Sequence, residues 1–141
     1  MSGAEHTLSV IIPVLNEAPS IARLIAAVRT QDPLCDIVVV DGGSTDGTRE
    51  IALRTGARVF ETGPGRGQQL AAGSEVSTGN ILFFLHADSR LPDGALDAIR
   101  EAYAAQPGAE GGNFRLLFDG GNSFDDWLHG FYAFIRLHGR Y

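Results

Sequence analysis

Two ionisable side chains follow directly on an apolar run near the middle of the chain. Residues 81–85, Ile-Leu-Phe-Phe-Leu, lead at once into His86, Asp88, Ser89 and Arg90. Five apolar residues are too few for a helix and predict a strand buried on both faces. A carboxylate and an imidazole at the carboxyl end of such a strand stand where open α/β sheets bind ligands. On a strand, side chains two residues apart face one side, so His86 and Asp88 are placed to share a ligand. That ligand would be a hard cation. Mg²⁺ is held by one or two carboxylates together with substrate phosphates, and Mn²⁺ also tolerates imidazole. The His-x-Asp spacing by itself carries little specificity.

Three other positions suit a phosphorylated, hydroxyl-rich ligand. Asp41 ends an apolar run and is followed by Gly-Gly-Ser-Thr-Asp-Gly-Thr. Its carboxylate is expected in a cleft, accepting from a base N–H or a ribose hydroxyl, with Ser44 adding a contact. The same stretch also reads as a plain strand-to-helix turn, in which Gly supplies positive φ and Asp or Thr caps the helix. Arg66 lies in Gly63-Pro-Gly-Arg-Gly67, a loop that lets the backbone approach a diphosphate while the guanidinium pairs with it. A surface turn is the competing reading. Glu17, after Val14-Leu-Asn, complements the positive end of the first helix whether or not it also binds a ligand.

The elements that must position these residues alternate along the chain. Residues 8–14 form a first strand, with Pro13 marking its end because it cannot donate to a ladder. Ile21, Leu24, Ile25 and Val28 recur at helical spacing within 20–30. Residues 36–41 are a second buried strand, rich in β-branched side chains. A helix is predicted over 48–55, a short strand over 57–61, a loop over 63–67 and a helix over 68–76. The central strand spans 80–87, and Pro92 opens a helix over 92–105, since its missing N–H would be unpaired there anyway. Strand and helix alternating four times predict an α/β fold, a parallel sheet with helices on both faces. Right-handed crossovers then bring 14–17, 41–44 and 86–90 to one rim. A further strand is expected over 111–118.

Composition narrows the classes. At 141 residues and 15.0 kDa, one domain is the natural count. The net charge is −6, and all eleven basic residues are arginine. With no basic run, a nucleic-acid groove is not expected. Cys35 has no partner for an internal disulfide and reads as a packing residue. His6, His129 and His138 lack metal-like spacing. The amino terminus has no signal-peptide pattern and no apolar stretch approaches about 20 residues, so a cytoplasmic location is the expectation. There is no G-x-G-x-x-G, no P-loop and no G-x-S-x-G elbow, which disfavours dinucleotide binding, P-loop chemistry and a serine hydrolase.

Taken in order, Val10-Ile-Ile-Pro-Val-Leu-Asn-Glu17, Val38-Val-Val-Asp-Gly-Gly-Ser-Thr-Asp-Gly-Thr48, Gly65-Arg-Gly67 and Leu85-His-Ala-Asp-Ser-Arg-Leu-Pro92 resemble the motifs of family-2 glycosyltransferases. The resemblance runs from residue 8 to about 118. It implies the GT-A (Rossmann-like) fold and transfer from a nucleotide diphosphate sugar, with inversion at the anomeric carbon and help from Mg²⁺ or Mn²⁺. The His-bearing metal motif and the Gly-Arg-Gly loop resemble a bacterial subgroup linked to arsenosugar biosynthesis, some relatives of which glycosylate carotenoids. The resemblance places Pro13, Leu15, Glu17 and Asp41 around base and ribose, Arg66 at the diphosphate, and Asp88 at the metal. It departs at Gly42, where many relatives carry a second acid that contacts uracil, so weak discrimination between uridine and guanosine diphosphates is expected. It departs again at His86, which stands where a first metal-binding acid usually lies.

No general base is identified. Asp125 and Asp126 qualify only by position, and the family's acceptor half is expected to follow the point where this chain stops. The expectation is therefore a nucleotide-sugar-binding domain, residues 1–141, of a glycosyltransferase acting on an unknown acceptor. A non-catalytic binding fragment is the alternative. A nucleotidyltransferase fits less well, because no Gly-rich basic loop follows the first strand. Within 123–141, Phe124, Trp127, Leu128, Phe131, Phe134 and Ile135 form an apolar stripe. It is expected to make a homodimer contact or, less readily given few basic residues, peripheral membrane contact.

Overall fold

A computed structural model describes residues 6–112. Among them, eight elements follow one another: β1 (Leu8–Val14), α1 (Ile21–Gln31), β2 (Asp36–Asp41), α2 (Thr48–Arg54), β3 (Arg58–Glu61), α3 (Arg66–Val76), β4 (Ile81–Phe84) and α4 (Ala95–Ala105). All lie in the first of two units, Met1–Pro107; the second is Gly108–Tyr141, whose described residues, 108–112, form no helix or strand. Most of the strand expected over 111–118 falls outside the described residues, as do Asp125, Asp126 and the apolar stripe of 123–141. No helix among the described residues is long and apolar enough to cross a membrane.

The four strands are parallel and ordered β3-β2-β1-β4. Alternation along β1 and β2 splits their side chains between two cores. Leu8, Val10, Ile12, Val14, Ile37 and Val39 pack with Ile21, Leu24, Ile25 and Val28 of α1, Ala52 of α2 and Leu96 of α4. Ile11, Val38 and Val40 face the other way, onto Leu70, Ala72 and Val76 of α3. Helix α3 sits low on the sheet because Gly73 has no side chain; a Cβ there would lie 2.5 Å from Ile11 Cγ2. The α/β class, the parallel sheet and the helices on both faces are those expected.

The central apolar run behaves differently. Ile81 and Leu85 are buried and Phe83 is half-buried, but Leu82 and Phe84 are 39% and 47% exposed. Residues 81–85 are thus buried on one face only. In the described sheet β4 is an edge strand paired with β1 alone, and α3 covers β1 and β2 but not β4. The strand also stops at Phe84 rather than running on to 87. Helix α4 begins at Ala95, three residues later than expected. Pro92 precedes it in a turn, its carbonyl accepting from the Ala95 N–H, with Gly94 at φ +76° before the first helical residue.

Candidate functional site

The strand order reverses between β1 and β4. The chain steps outward from β1 to β2 and β3, then returns through α3 to the far side of β1. In open α/β sheets the crevice beyond the carboxyl ends of the strands at such a reversal is where ligands bind. Here the segments after β1 and after β4 flank it, with the segment after β2 alongside.

Two of these three segments are joined by side chains. The Asn16 N–H donates to Ser44 Oγ (2.9 Å), and Asn16 Oδ1 accepts from the Thr45 N–H (2.9 Å). The Glu17 N–H donates to Thr48 Oγ1 (2.8 Å), and the Ala18 N–H to Asp46 Oδ2 (3.1 Å). Asn16 sits at φ +57°, a left-handed conformation that asparagine tolerates better than most residues. Asp46 also accepts from the backbone N–H and hydroxyl of Thr48 at the start of α2. The Thr48 hydroxyl, ahead of the backbone donors, holds the Asp46 carboxyl below the usual carboxylate range. The result is one hydrogen-bonded platform over β1 and β2.

Five of the expected site residues, Pro13, Leu15, Glu17, Asp41 and Ser44, lie on or beside this platform. Pro13 lies near the end of β1. The Ile11 carbonyl accepts from Leu85, so odd-numbered residues of β1 direct their backbone toward β4. Pro13 therefore lacks its N–H just where pairing with β4 has ended, which resolves how a proline fits a central strand. Leu15 is 48% exposed, an uncovered apolar side chain beside the crevice. Glu17 is half-buried; its Oε2 accepts from Ser20 Oγ (2.9 Å), and its carbonyl accepts from the first N–H groups of α1. Asp41 is 2% exposed, and its Oδ1 accepts from the Gly43 N–H (3.1 Å), the Ser44 N–H (2.9 Å) and Ser44 Oγ (2.7 Å). That oxygen closes its own turn, so Oδ2 is left for any contact with a ligand. Ser44 Oγ both donates to Asp41 and accepts from Asn16.

Arg66 is not a loop residue: it is the first residue of α3, after Gly65 at φ +146°. The Gly63-Pro-Gly turn fixes the helix start earlier than Gly67 alone would suggest. Arg66 is exposed, and its guanidinium meets no acceptor among the described residues. His86 and Asp88 lie beyond the end of β4, in a turn closed by the Ser89 N–H donating to the His86 carbonyl (3.0 Å). The strand alternation invoked for a shared ligand therefore does not apply to this pair. Both side chains are exposed and neither is hydrogen-bonded to described residues.

No group of three or more His, Cys, Asp or Glu among the described residues could enclose a metal ion by itself. An unpaired exposed carboxylate fits the other mode of holding Mg²⁺ or Mn²⁺, in which one carboxylate and the ligand's phosphates share the ion. Asp88 satisfies that requirement and His86 is near it in sequence.

Sequence reasoning passed over Gln69. It is 5% exposed on α3, and its Nε2 donates to the carbonyls of Val14 (2.9 Å) and Val40 (2.8 Å), tying the carboxyl ends of β1 and β2 together. Its partners lie 55 and 29 residues away, so no local pattern marks it. Asn16, Asp46 and Thr48 were legible only as parts of motifs.

A groove of about 670 Å³ opens at the opposite end of the sheet, lined by Leu8, Gln31, Asp32, Leu34, Cys35 and Arg100 among others. Its one guanidinium is taken up within the chain: Arg100 pairs with Asp32 and Asp97 and donates to the His6 carbonyl. Burial pushes the Cys35 thiol up to about 11, which keeps it protonated and unreactive. The carboxyl-terminal rim, whose exposed Arg66, His86 and Asp88 meet no partner among the described residues, is the better candidate.

Comparison with known proteins supplies the family. The chain is 33% identical over 110 residues to 4,4'-diaponeurosporenoate glycosyltransferase of Staphylococcus haemolyticus, covering 72% of this chain and 29% of that one. It superimposes on glucosyl-3-phosphoglycerate synthase of Mycobacterium tuberculosis in complex with Mn²⁺, uridine diphosphate and glucosyl-3-phosphoglycerate. The TM-score is 0.61 at 30% identity, over 73% of this chain and 41% of the other. The same enzyme with Mn²⁺ and uridine-diphosphate-glucose gives 0.62 at 28% identity, over 74% and 41%. The chain thus spans well under half the length of these relatives. The expected GT-A fold is the one found. The model of Glycosyl transferase family 2 matches residues 9–137, a span containing every rim segment described above, and the chain belongs to that family.

Proposed function

We propose that this chain is the nucleotide-sugar-binding domain of an inverting glycosyltransferase, using a uridine diphosphate sugar with Mn²⁺ or Mg²⁺ and an acceptor of unspecified kind. The observation that carries the reading is the strand reversal between β1 and β4, with the exposed Leu15 directly after β1 and, after β4, an Asp88 carboxylate that has no partner among the described residues. Relatives of known structure bind uridine diphosphate and Mn²⁺, which supports the choice of ligand.

In this reading Leu15 and Pro13 offer apolar contact to the base. Asp41 Oδ2 accepts from a base N–H or ribose hydroxyl, and Glu17 and Ser44 hold the platform on which the nucleoside rests. Arg66, at the start of α3, pairs with the diphosphate. Asp88 would hold the divalent ion together with diphosphate oxygens, and His86 would add an imidazole ligand if the ion is Mn²⁺. When bound, that ion supplies charge neutralisation for the departing nucleoside diphosphate. Reversing the configuration at the anomeric carbon requires the acceptor hydroxyl to enter opposite that leaving group.

Calorimetry tests this directly. Uridine diphosphate should bind the 141-residue chain more tightly with Mn²⁺ than without it. Asp88→Ala should abolish the difference while leaving the melting temperature in place. Equal metal dependence in the variant, or no nucleotide binding in the parent chain, overturns the proposal.

A further inference from the structure

We infer that Gln69 Oε1 is an acceptor for the ring N–H of the bound nucleobase, occupying the place that a side chain at position 42 would take. The inference rests on the donor-binding reading above and adds the residue that reads the base, which leaves Asp41 Oδ2 to a ribose hydroxyl.

The orientation of the Gln69 amide is dictated by its partners. Nε2 lies 2.9 Å from the Val14 carbonyl oxygen and 2.8 Å from that of Val40. Exchanging the amide nitrogen and oxygen would set an acceptor against two acceptors, so both N–H bonds of Nε2 are committed and Oε1 is the remaining polar atom. No donor among the described residues meets Oε1. Since no buried side-chain nitrogen or oxygen among those residues lacks a partner, Oε1 must be the accessible tip of an otherwise buried residue.

Gly42 explains where that tip lies. Along β2 and into its turn, residues 38 and 40 face α3, and position 42 continues that side. A Cβ on Gly42 would meet Gln69 Cδ, Nε2 and Oε1 at 3.2–3.3 Å. The amide therefore covers the position of the missing side chain, at the ends of the two strands whose loops form the platform. An acceptor in that place, with its own donors fully used, can take an N–H but cannot offer one. It matches the ring N–H of uracil and opposes the bare ring nitrogen of cytosine. Because the amide is clamped by two strands, it presents its oxygen without first having to be ordered.

The test is calorimetry on the full chain with Mn²⁺, using uridine diphosphate, its N3-methyl derivative and cytidine diphosphate. Uridine diphosphate should bind about tenfold more tightly than either of the others, the scale of one lost hydrogen bond to an otherwise buried acceptor. In Gln69→Met, which keeps side-chain length and removes the acceptor, uridine diphosphate and its N3-methyl derivative should come within about twofold. Comparable binding of these two by the parent chain overturns the inference while leaving nucleotide binding intact. So does a folded Gln69→Met variant that still prefers uridine diphosphate. Failure of every nucleotide to bind overturns the donor-binding reading itself, and the two failures are distinguishable. Should Gln69→Met not fold, the Gln69 side-chain amide resonance of the ¹⁵N-labelled parent decides. It should shift with uridine diphosphate and not with the N3-methyl derivative, and any other pattern overturns the inference.

Discussion

The two ends of the sheet use polar side chains for opposite purposes. At the amino-terminal end, Ser9 Oγ donates to Asp36 Oδ2 (2.7 Å), which also accepts from the backbone N–H and hydroxyl of Thr78 (both 3.0 Å). Arg58 reaches Asp36 Oδ1 (3.0 Å), and the Gly79 N–H closes on Ser9 Oγ (2.8 Å). Every group in this knot is answered by the chain, and it joins β1, β2, β3 and the approach to β4. At the carboxyl-terminal end the platform is equally well bonded, yet several groups at that end meet no partner among the described residues: Asp88, Arg66 and Gln69 Oε1, beside the exposed Leu15. A saturated network holds strands in place, whereas one with spare valences is suited to holding something else.

The contrast can be broken hardest at Gly79. A Cβ there would stand 2.6 Å from Ser9 N, 2.7 Å from Leu8 C and 2.8 Å from Thr7 O, all backbone atoms that cannot swing aside. Gly79→Ala should cost about 3 kcal/mol or more by forcing the start of β4 from β1. Chemical denaturation measures this, and a loss under about 1 kcal/mol would mean the knot tolerates opening.

A smaller effect is expected at Asp36. Burial raises its carboxyl, but the hydrogen bonds from Ser9, Thr78 and Arg58 more than offset this and hold it below the ordinary value of 3.8. A carboxyl lowered in the folded state contributes stability that is present above pH 3.8. The contribution is lost as pH falls through the folded value. Asp36→Asn should therefore destabilise by about 1–2 kcal/mol at pH 7. The gap between parent and variant should close below pH 3.8. A gap that stays constant down to pH 2.5 would show that charge is not the source.

The smallest change sharpens the comparison most. Leu34, 93% exposed at the amino-terminal end, and Leu15, 48% exposed beside the crevice, are both uncovered leucines. Either one changed to Ala should alter stability by no more than about 0.5 kcal/mol. Only Leu15→Ala should weaken uridine diphosphate binding, by about three- to tenfold. Equal effects on binding would remove Leu15 from the site.

How much of this was legible in the sequence depended on how far each feature reaches. The β-branched run of β2 matches the observed strand from Asp36 to Asp41, and the spacing of Ile21, Leu24, Ile25 and Val28 marks the buried face of α1. Both are decided by neighbours within a few residues. The run at 81–85 was equally clear as a strand, but strand order is a property of the whole sheet, so the exposure of Leu82 and Phe84 could not be read from five apolar letters. The site divides in the same way. Asp41, Ser44 and Glu17 stand out at the ends of recognisable elements, while the amide of Gln69 acquires meaning only from carbonyls supplied by two distant strands.

The position of β1 between β2 and β4 also sets an order of assembly. Pairing Ser9 with Asp36 closes a loop of 27 residues (36 − 9), whereas pairing Leu8 with Ile81 closes one of 73 (81 − 8). By the logarithmic cost of loop closure, the second ladder is dearer by about 0.9 kcal/mol of chain entropy. The short ladder is thus favoured to form while β4 is still unattached, and of the ladders in the described sheet the one beside the crevice closes the longest loop. The crevice is a seam between the early and late parts of the chain, and a ligand lodged across it would fasten the longest of the loops that the described sheet has to close.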